Sequence, residues 1–323
     1  MAIATGTYTT YATVGLREQL LNSIYNISPS DTPVLSATGR SKAEAVKVEW
    51  QTDALAAASD SAVLEGDDYS YATPTATSRV GNYNQINRET VIVSGTDDVV
   101  KKAGRDTELG YQLELKSKKL KTDIERAMLG VNQASVAGNT TTIRRSGSFS
   151  SWLTSNVSRG AAGANGGYSS GTGLTVAATD GTQRAFAETQ IKSVMQSAFG
   201  NGGKPRIAAM SPGQKVNFSA FAGIAVNRID NDPARSSEKQ LAIMGAADVY
   251  KSDFGNLVAV PDNYIRTRDV LLLDPEYADV AYLRPFTTDK PAKTGDAEKR
   301  AILVEWTLVV KNQAAHGIIA DLT

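Results

Sequence analysis

The chain has 323 residues, and its 34 basic side chains balance 34 acidic ones. That balance excludes the global positive field of a protein whose main task is to grip DNA or RNA. The lack of cysteine and the single histidine exclude disulfides, thiolate nucleophiles and zinc sites of the usual nitrogen and sulfur ligands. No stretch approaches the roughly 18 apolar residues of a membrane span, so we expect a soluble protein made in the cytoplasm, without a membrane partner.

The N-terminal third of the chain lacks a core pattern of its own. Residues 1–45 are rich in threonine and weakly patterned, which is typical of an arm laid over another surface. Residues 46–95 are predicted to form an extended loop, in which the strand-like segments VKVEWQ and ETVIVS enclose a long polar insert. Such a two-stranded extension is only marginally stable in water, so the loop is expected to lie on a partner. Seven acidic and two basic side chains between residues 48 and 92 make it the acidic element.

The longest helical pattern covers residues 97–131, with Thr96 or Asp97 as the predicted N-cap. A continuous helix of that length would extend about 50 Å. One apolar stripe runs along it and predicts that the helix packs on a core. The stripe consists of Leu109, Leu113, Leu120, Ile124, Ala127, Met128 and Val131.

Four lysines stand close together in the second half of this helix. They are Lys116, Lys118, Lys119 and Lys121. A nucleic-acid site would keep them on one face, but they scatter around the helix, and three have a carboxylate four residues away. The pairs are Glu114 with Lys118, Lys119 with Asp123, and Lys121 with Glu125. We therefore favour a structural helix over a nucleic-acid grip.

The rest of the chain mixes helices and strands. Residues 132–185 are polar and rich in glycine, which is typical of a flexible loop region. Between 186 and 265 the pattern predicts a helix that ends at Gly200, the strand KPRIAAM, a helix capped by Ser211 and a hairpin that turns at DFGN. Residues 266–323 predict a second hairpin, turning at DPEYAD, and a long strand, RAILVEWTLVVK, in a half-buried sheet.

No constellation of residues supports an enzyme. The DFG at residues 253–255 lacks the glycine loop, strand lysine and HRD motif of a kinase, so a hairpin turn is expected there. The GNGGKP at residues 200–205 lacks the spacing of a phosphate-binding loop. His316 has no nucleophile near it in sequence and is expected to be a structural histidine. We predict no catalytic residue, no cofactor and no metal site, although composition alone leaves carboxylate sites for magnesium or calcium open.

Five blocks of sequence occur in a characteristic order along the chain. They are TVGLREQLLNSIYNISPSDTPVLS, VKVEWQTDAL, RRSGSFSSWLTSN, VYKSDFGNLVAVP and LRPFTTDKPAKTGDAEKRAILVEWTLVVKNQAAHGIIADLT, of which the last is the most specific. With the arm, the loop, the long helix, the mixed centre and the terminal strands, these blocks resemble the major capsid proteins of tailed bacteriophages. The fold of that family is named after phage Hong Kong 97.

The resemblance implies an α+β fold with a defined anatomy. An N-terminal arm (1–45) and an extended loop (46–95) would precede a peripheral domain (96–185) that holds the spine helix (97–131) and the glycine-rich loop region. An axial domain (186–265) would follow, and return strands (266–323) would complete both domains. The implied function is a structural subunit that assembles into hexamers and pentamers and forms the icosahedral head around double-stranded DNA.

Two alternatives remain beside this interpretation. An encapsulin-type compartment shares the fold and encloses cargo enzymes instead of a genome, and particles that held protein without DNA would favour it. An enzyme with a large β domain belongs to another class, and a monomer with substrate turnover would favour that.

The resemblance also implies partners and a location. Further copies of the chain are the main partner, together with a portal, a separate scaffolding protein, decoration proteins, and packaged DNA that is contacted weakly and without sequence specificity. The protein would be part of the virion and would assemble in the host cytoplasm.

Three groups of residues are predicted to contact neighbouring subunits. Those of the extended loop are Trp50, Glu65, Asp67, Asp68, Arg79 and Arg88, those of the spine helix are Lys116, Lys118, Lys119 and Lys121, and those of the terminal strands are Lys293, Asp296 and Arg300. Opposite charge predicts that the acidic loop docks near the lysines of a neighbour. Charge reversal at Lys118 and Lys119 is then expected to impair assembly of a folded subunit.

The extended loop also bears on covalent crosslinking. In the founding member of the family, a loop lysine forms an isopeptide bond with an asparagine of a neighbouring subunit. The present chain has no lysine between Lys47 and Lys101, so that bond cannot form from its loop. A noncovalent shell is predicted.

Overall fold

The structure is a computed structural model that describes residue 7 and residues 22–24, 26–221 and 248–323. Its helices are α1 Pro33–Ala37, α2 Gly95–Val99, α3 Glu108–Glu125, α4 Phe149–Trp152, α5 Glu188–Gly200 and α6 Pro212–Ser219. Its strands are β1 Gly39–Lys42, β2 Lys47–Thr52, β3 Ser78–Tyr83, β4 Gln85–Ser94, β5 Val157–Ser158, β6 Gly167–Ser169, β7 Leu174–Val176, β8 Ile207–Met210, β9 Val249–Ser252, β10 Gly255–Pro261, β11 Val270–Leu273, β12 Ala278–Asp289, β13 Ala297–Val310 and β14 Gly317–Ile319. Most of the predicted N-terminal arm up to residue 21, and residues 222–247 of the predicted axial domain, lie outside the described residues.

A four-stranded sheet carries the long helix. Its strand order is β1-β12-β13-β4, with β13 antiparallel to both of its neighbours and β1 parallel to β12. Helix α3 packs on this sheet through Leu120 and Ile124, which share a core with Trp306. The predicted apolar stripe is confirmed where Leu120, Ile124, Ala127 and Met128 are buried.

A six-stranded sheet forms the second half of the molecule, in the order β5-β14-β11-β8-β10-β9. Helix α5 lays its predicted apolar face, Ile191, Val194, Met195 and Ala198, into the core beside it. The predicted cap of α6 is confirmed, because Ser211 Oγ accepts a hydrogen bond from the Gln214 amide. The hairpin at DFGN is confirmed as well, since β9 and β10 pair in antiparallel register.

The prediction of one continuous spine helix over residues 97–131 is wrong. Helix α2 ends at Val99, α3 begins only at Glu108, and a π-helical turn, Arg126–Gly130, extends α3 to residue 130. Gly104 separates the two helices with φ of +78°, a left-handed conformation that a right-handed helix cannot contain.

The caps of these helices also differ from the prediction. Ser94 Oγ accepts a hydrogen bond from the Asp97 amide at 3.2 Å and caps α2, so neither Thr96 nor Asp97 is the N-cap. Thr107 Oγ1 accepts one from the Gly110 amide at 3.3 Å and caps α3.

Strand pairing in the extended loop is a second correction. Residues 89–94 do not pair with VKVEWQ. Strand β2 instead pairs with β3, which lies inside the segment predicted to be a polar insert. The sequence of β3, SRVGNY, has too little apolar alternation to predict a strand. Strand β4 pairs with β13 and so belongs to the four-stranded sheet.

The predicted hairpin at DPEYAD is the third correction. The chain leaves the six-stranded sheet at Leu273 and enters the four-stranded sheet at Ala278. A short 3-10 turn, Pro275–Tyr277, joins the two strands, and the side chain of Asp274 caps it. The turn-forming residues of DPEYAD therefore join two different sheets and do not form a hairpin. The sequence could not distinguish the two cases, because both connections use the same types of turn residue.

Two further segments are more buried than predicted. In the glycine-rich region, Phe149 and Trp152 belong to the main core, and Arg144 donates a hydrogen bond to the buried Glu305 at 2.7 Å. Strand β13 is buried on both faces over residues 305–310, whereas a half-buried strand was predicted. The glycine-rich region covers part of that strand, which explains both differences.

His316 has the structural role expected from the sequence. Its side chain is buried, its Nδ1 accepts a hydrogen bond from the Asp274 amide at 3.2 Å, and its Nε2 lies 3.3 Å from the Tyr277 carbonyl oxygen. Burial lowers the pKa of His316 to about 4, so the ring is neutral at pH 7.

Candidate assembly surfaces

The base of the extended loop is fixed to its own subunit by aromatic packing. The ring of Trp50 on β2 lies 5.3 Å from that of Trp152, which stacks on Tyr168 at 5.7 Å. Arg79 on β3 lies 3.6 Å from Glu49, a carboxylate that also binds Lys47 at 2.9 Å. Trp50 and Arg79, both predicted to contact a neighbour, therefore have partners in their own chain.

Asn82 joins the loop to the core through polar contacts. Its side-chain nitrogen donates to the Leu308 carbonyl at 2.7 Å and to Ser146 Oγ at 3.0 Å, and its side-chain oxygen accepts from the Gly147 amide at 2.9 Å. The side chain is fully buried. A buried amide with three partners holds β3 in one position against β13.

Beyond this base, residues 53–77 contain no helix or strand, and every one of them is exposed. They carry five acidic side chains and no basic one. Glu65, Asp67 and Asp68 form no ion pair within the described part of the chain. Large apolar side chains are exposed around them: Leu55, Val63, Leu64, Tyr69 and Tyr71. Apolar and acidic groups thus share a segment that has no packing of its own.

The spine-helix lysines are partly engaged inside their own chain. Lys116 lies 2.9 Å from Glu89 of β4, and Lys119 binds the same carboxylate. Burial would raise the pKa of Glu89, but the hydrogen bonds from Lys119 and Lys116 outweigh that effect and hold it below its ordinary value. These two lysines therefore attach α3 to the sheet.

Two of the three predicted helical charge pairs are confirmed. Lys118 lies 2.7 Å from Glu114, and Lys119 lies 3.1 Å from Asp123. The third pair is wrong, because Glu125 turns into the core and leaves Lys121 exposed without an ion-pair partner among the described residues.

The buried carboxylate of Glu125 ties the N-terminal arm to the helix. Its two oxygens accept the amides of Val34 and Leu35 at 2.8 and 2.7 Å. Burial, and next the negative charge of Asp262, raise the pKa of Glu125 to about 8. Burial also raises the pKa of Asp262. A pKa of about 8 means that Glu125 is mostly protonated at pH 7.

The tip of the β12–β13 hairpin holds the terminal-strand residues predicted to make contacts. Lys293 and Arg300 lie 3.2 and 3.3 Å from Glu298. The hydrogen bond from Lys293, and then that from Arg300, lower the pKa of Glu298. The carbonyl of Asp296 accepts the Gly95 amide at 3.2 Å, which joins the tip to α2.

Residues 3–323 match the sequence model of a family described as SU10 major capsid protein. The chain belongs to this family. A curated relative, the major capsid protein of Escherichia phage Phieco32, is 37% identical over 123 residues, which are 38% of this chain and 35% of the relative. The matched stretch thus spans about a third of that relative's length.

The fold of this capsid protein also occurs in solved shells. The Cyanophage A-1(L) capsid asymmetric unit aligns over 98% of both chains, with a TM-score of 0.61 and 13% identity. The holo-SrpI encapsulin complex from Synechococcus elongatus PCC 7942 aligns over 95% of this chain and 92% of its own, with a TM-score of 0.55 and 9% identity. At such identities the likeness shows the fold alone, and it confirms the predicted Hong Kong 97-like α+β fold. The family match favours a phage capsid over an encapsulin.

In this capsid protein the predicted contact residues lie on separate elements. The structure brings Lys116 and Lys119 together with Glu89, but it does not bring any spine-helix lysine together with Glu65, Asp67 or Asp68 of the same chain. Arg88 is exposed on β4 and forms no ion pair with a described residue. Contact of these groups with a neighbouring subunit remains a prediction.

Sequence reasoning missed two residues that anchor these surfaces. Asn82 and Glu89 meet their partners through tertiary contacts, so no local spacing marks either of them. Among the described residues, no group of three or more His, Cys, Asp or Glu side chains is arranged to hold a metal ion, and no helix is long and apolar enough to cross a membrane.

Proposed function

We propose that this chain is the repeating wall unit of an icosahedral phage head, arranged as hexamers and pentamers around double-stranded DNA. The observation that carries the proposal is the extended loop, whose outer residues 53–77 are exposed and rich in acidic and apolar side chains. An exposed apolar surface of this kind marks an interaction site, and closed symmetry supplies each copy with a neighbour for it.

The two sheets correspond to the two domains of the proposed wall unit. The four-stranded sheet with α3 is the peripheral domain, and the six-stranded sheet with α5 and α6 is the axial domain that surrounds the capsomer centre. One hydrophobic cluster is confined to the six-stranded sheet and the segments packed on it, which supports an axial domain, while the main core also includes Leu271 and Ile318 and so joins the two sheets. The β2–β3 hairpin projects from the peripheral domain, which suits a loop that reaches over the adjacent subunit.

The formal net charge of the chain is zero, because 34 basic side chains balance 34 acidic ones. This neutrality supports a wall that encloses DNA with few attractive contacts, since tight DNA binding depends on an excess of basic side chains. A portal, a separate scaffolding protein and decoration proteins complete the proposed set of partners. Assembly takes place in the host cytoplasm, and the role is structural and needs no catalytic residue.

Electron microscopy of the expressed full-length chain tests this function. Shells, rings or tubes are the expected result, and nuclease-protected DNA is expected in particles recovered from infected cells. A monodisperse monomer at high concentration contradicts self-assembly. Particles that hold cargo protein and no DNA support the encapsulin alternative instead.

A shortened loop tests the part of the molecule on which the proposal rests. Residues 54–76 are replaced by two glycines, so that Asp53 and Thr77 are joined by a tight hairpin turn. This variant is expected to remain folded, because the removed residues bury nothing, and to lose assembly. Circular dichroism checks the fold, and normal shells from the variant contradict the proposed role of the loop.

A further inference from the structure

Two Asn-Gly pairs occur in the chain, Asn165 with Gly166 and Asn201 with Gly202, and a second glycine follows each of them. In such a pair the backbone nitrogen of the glycine can attack the side-chain carbonyl carbon of the asparagine and close a succinimide ring. Glycine favours this reaction because it has no Cβ to hinder ring closure and because its backbone is conformationally permissive. The two pairs share this chemistry, so a difference between them must come from their surroundings.

The surroundings of Asn201 oppose the reaction. The pair lies at the C-terminal end of α5, where the Gly202 amide donates to the Phe199 carbonyl at 3.0 Å. The side-chain nitrogen of Asn201 donates to Asn156 Oδ1 at 2.8 Å. The attacking nitrogen would have to give up its own hydrogen bond, so this pair is expected to react slowly. It provides a control within the same chain.

The surroundings of Asn165 favour the reaction. This residue lies in the glycine-rich region and is exposed to water, and the Gly166 amide donates no hydrogen bond to any residue that the structure describes. No hydrogen bond therefore has to break before the Gly166 nitrogen attacks. The side chain of Asn165 is also held in place, since its nitrogen donates to the Thr154 carbonyl at 2.9 Å.

Arg159 acts on the group that is attacked. Its Nε donates to the side-chain oxygen of Asn165 at 3.2 Å. Attack on the carbonyl carbon places negative charge on this oxygen, and a charged donor that already points at it stabilises that charge. Within the described part of the chain, no lysine or arginine donates to the side-chain oxygen of Asn201. The two pairs thus differ both in the attacking nitrogen and in the attacked carbonyl.

Arg159 also lacks a charge partner of its own. Its two terminal nitrogens are buried without a hydrogen bond, and no carboxylate among the described residues forms an ion pair with it. Burial lowers the pKa of Arg159, although nearby aspartates act in the opposite direction from beyond ion-pair distance. A carboxylate in place of the Asn165 amide would turn the existing contact into a charge-assisted hydrogen bond. The reaction product therefore gives Arg159 the counter-charge that it lacks.

We propose that Asn165 is a site of spontaneous deamidation that Arg159 promotes. The Gly166 nitrogen loses its proton to water and bonds to the side-chain carbonyl carbon of Asn165. The bond between that carbon and the amide nitrogen then breaks, and ammonia leaves with a proton from water. Water opens the ring at either carbonyl, which leaves aspartate or isoaspartate. The net reaction consumes one water, releases one ammonia and adds one negative charge to the subunit as the protein ages.

Mass spectrometry of the full-length chain tests the site. The purified protein is incubated at neutral pH for several weeks, and the peptides that contain the two pairs are followed over time. The Asn165 peptide should gain about 1 Da at least about tenfold faster than the Asn201 peptide, since a single oxyanion donor can contribute more than that to a rate. Isoaspartate should form beside aspartate, because the ring opens at either carbonyl. Equal rates, a faster reaction at Asn201, or aspartate as the sole product overturns the proposal.

Arg159→Gln tests the promoting role of the charged donor. It should slow deamidation at Asn165 by at least about fivefold and leave the rate at Asn201 unchanged. The control is Arg145→Gln, a change in the same glycine-rich region at an arginine that binds Gln133 instead of Asn165, and it should alter neither rate. An unchanged rate at Asn165 in Arg159→Gln overturns the role of Arg159.

Unfolding of the wild-type chain gives a second test that needs no substitution. In concentrated denaturant both pairs keep only their local sequence, so the two rates should agree to within about threefold. A large preference for Asn165 that persists in the unfolded chain would mean that the folded surroundings do not cause it, and it would overturn the proposal.

Discussion

Two parts of this capsid protein contrast in how they obtain their structure. Strand β13 is buried from residue 304 to residue 310, pairs with strands on both sides and carries Trp306, which is 1% exposed. Residues 53–77 are exposed throughout and have no helix or strand. The strand is determined by the core of its own subunit. The proposed function predicts that the loop is ordered by a surface of another subunit.

The largest effect should come from a change in the core strand. Trp306→Ala is expected to reduce the free energy of unfolding by about 3–5 kcal/mol, because it removes a large buried side chain. The matched change in the loop is Tyr71→Ala. Because this side chain is exposed, the substitution should alter the free energy of unfolding by less than about 0.5 kcal/mol. Denaturant unfolding of dissociated subunits measures both. Equal losses from the two substitutions would remove the contrast between strand and loop.

The second effect concerns the boundary between the two regions. Asn82→Ala leaves the Leu308 carbonyl and the Gly147 amide without their buried partner and should cost about 1–3 kcal/mol of unfolding free energy. Faster hydrogen exchange in β3 is expected to accompany the loss. Asn256→Ala, an exposed change on β10, is the control and should be close to neutral. An unchanged exchange rate in β3 would mean that Asn82 does not fix the base of the loop.

A smaller effect should appear as a pH dependence of the arm junction. The folded-state pKa of Glu125 is raised to about 8, above its ordinary value of 4.5. The folded state therefore binds more protons than the unfolded state between these values, and this contribution to stability falls as the pH rises from about 4.5 to about 8. Asp262 shifts in the same direction.

Glu125→Gln removes the titrating group and should flatten the pH dependence. Unfolding free energies at pH 5 and pH 8 measure the difference between the variant and the wild type. Hydrogen exchange at the Val34 and Leu35 amides reports on the junction itself. An identical pH dependence in both proteins would contradict a raised pKa at Glu125.

No covalent change is expected in the loop after assembly. Because no lysine occurs between Lys47 and Lys101, heated and denatured particles should migrate as a single species of 34.3 kDa. Denaturing electrophoresis with and without heating makes the comparison. A ladder of multimers would show a crosslink and contradict a noncovalent shell.

The sequence predicted the elements whose signals are local. The apolar face of α5, the Ser211 cap and the DFGN hairpin all depend on spacings within a few residues, and each occurs as predicted. The family resemblance was equally accessible, because five blocks of sequence carried it.

Features set by tertiary contacts could not be predicted in the same way. The break at Gly104 depends on a positive φ, and β3 exists because Asn82 and a neighbouring strand hold it. Spacing on the helix paired Lys121 with Glu125, but the buried amides of Val34 and Leu35 bind that carboxylate. One concave surface is lined by Arg40, Lys121 and Tyr282, which lie far apart in the sequence.

Hydrogen exchange of assembled particles against dissociated subunits tests the central claim most directly. Amides of residues 304–310 should be protected in both states, because the subunit core buries them. Amides of residues 53–77 should exchange freely in the subunit and at least about 100-fold more slowly in the particle. Free exchange of the loop in both states would contradict the account, since it would mean that no neighbour covers it.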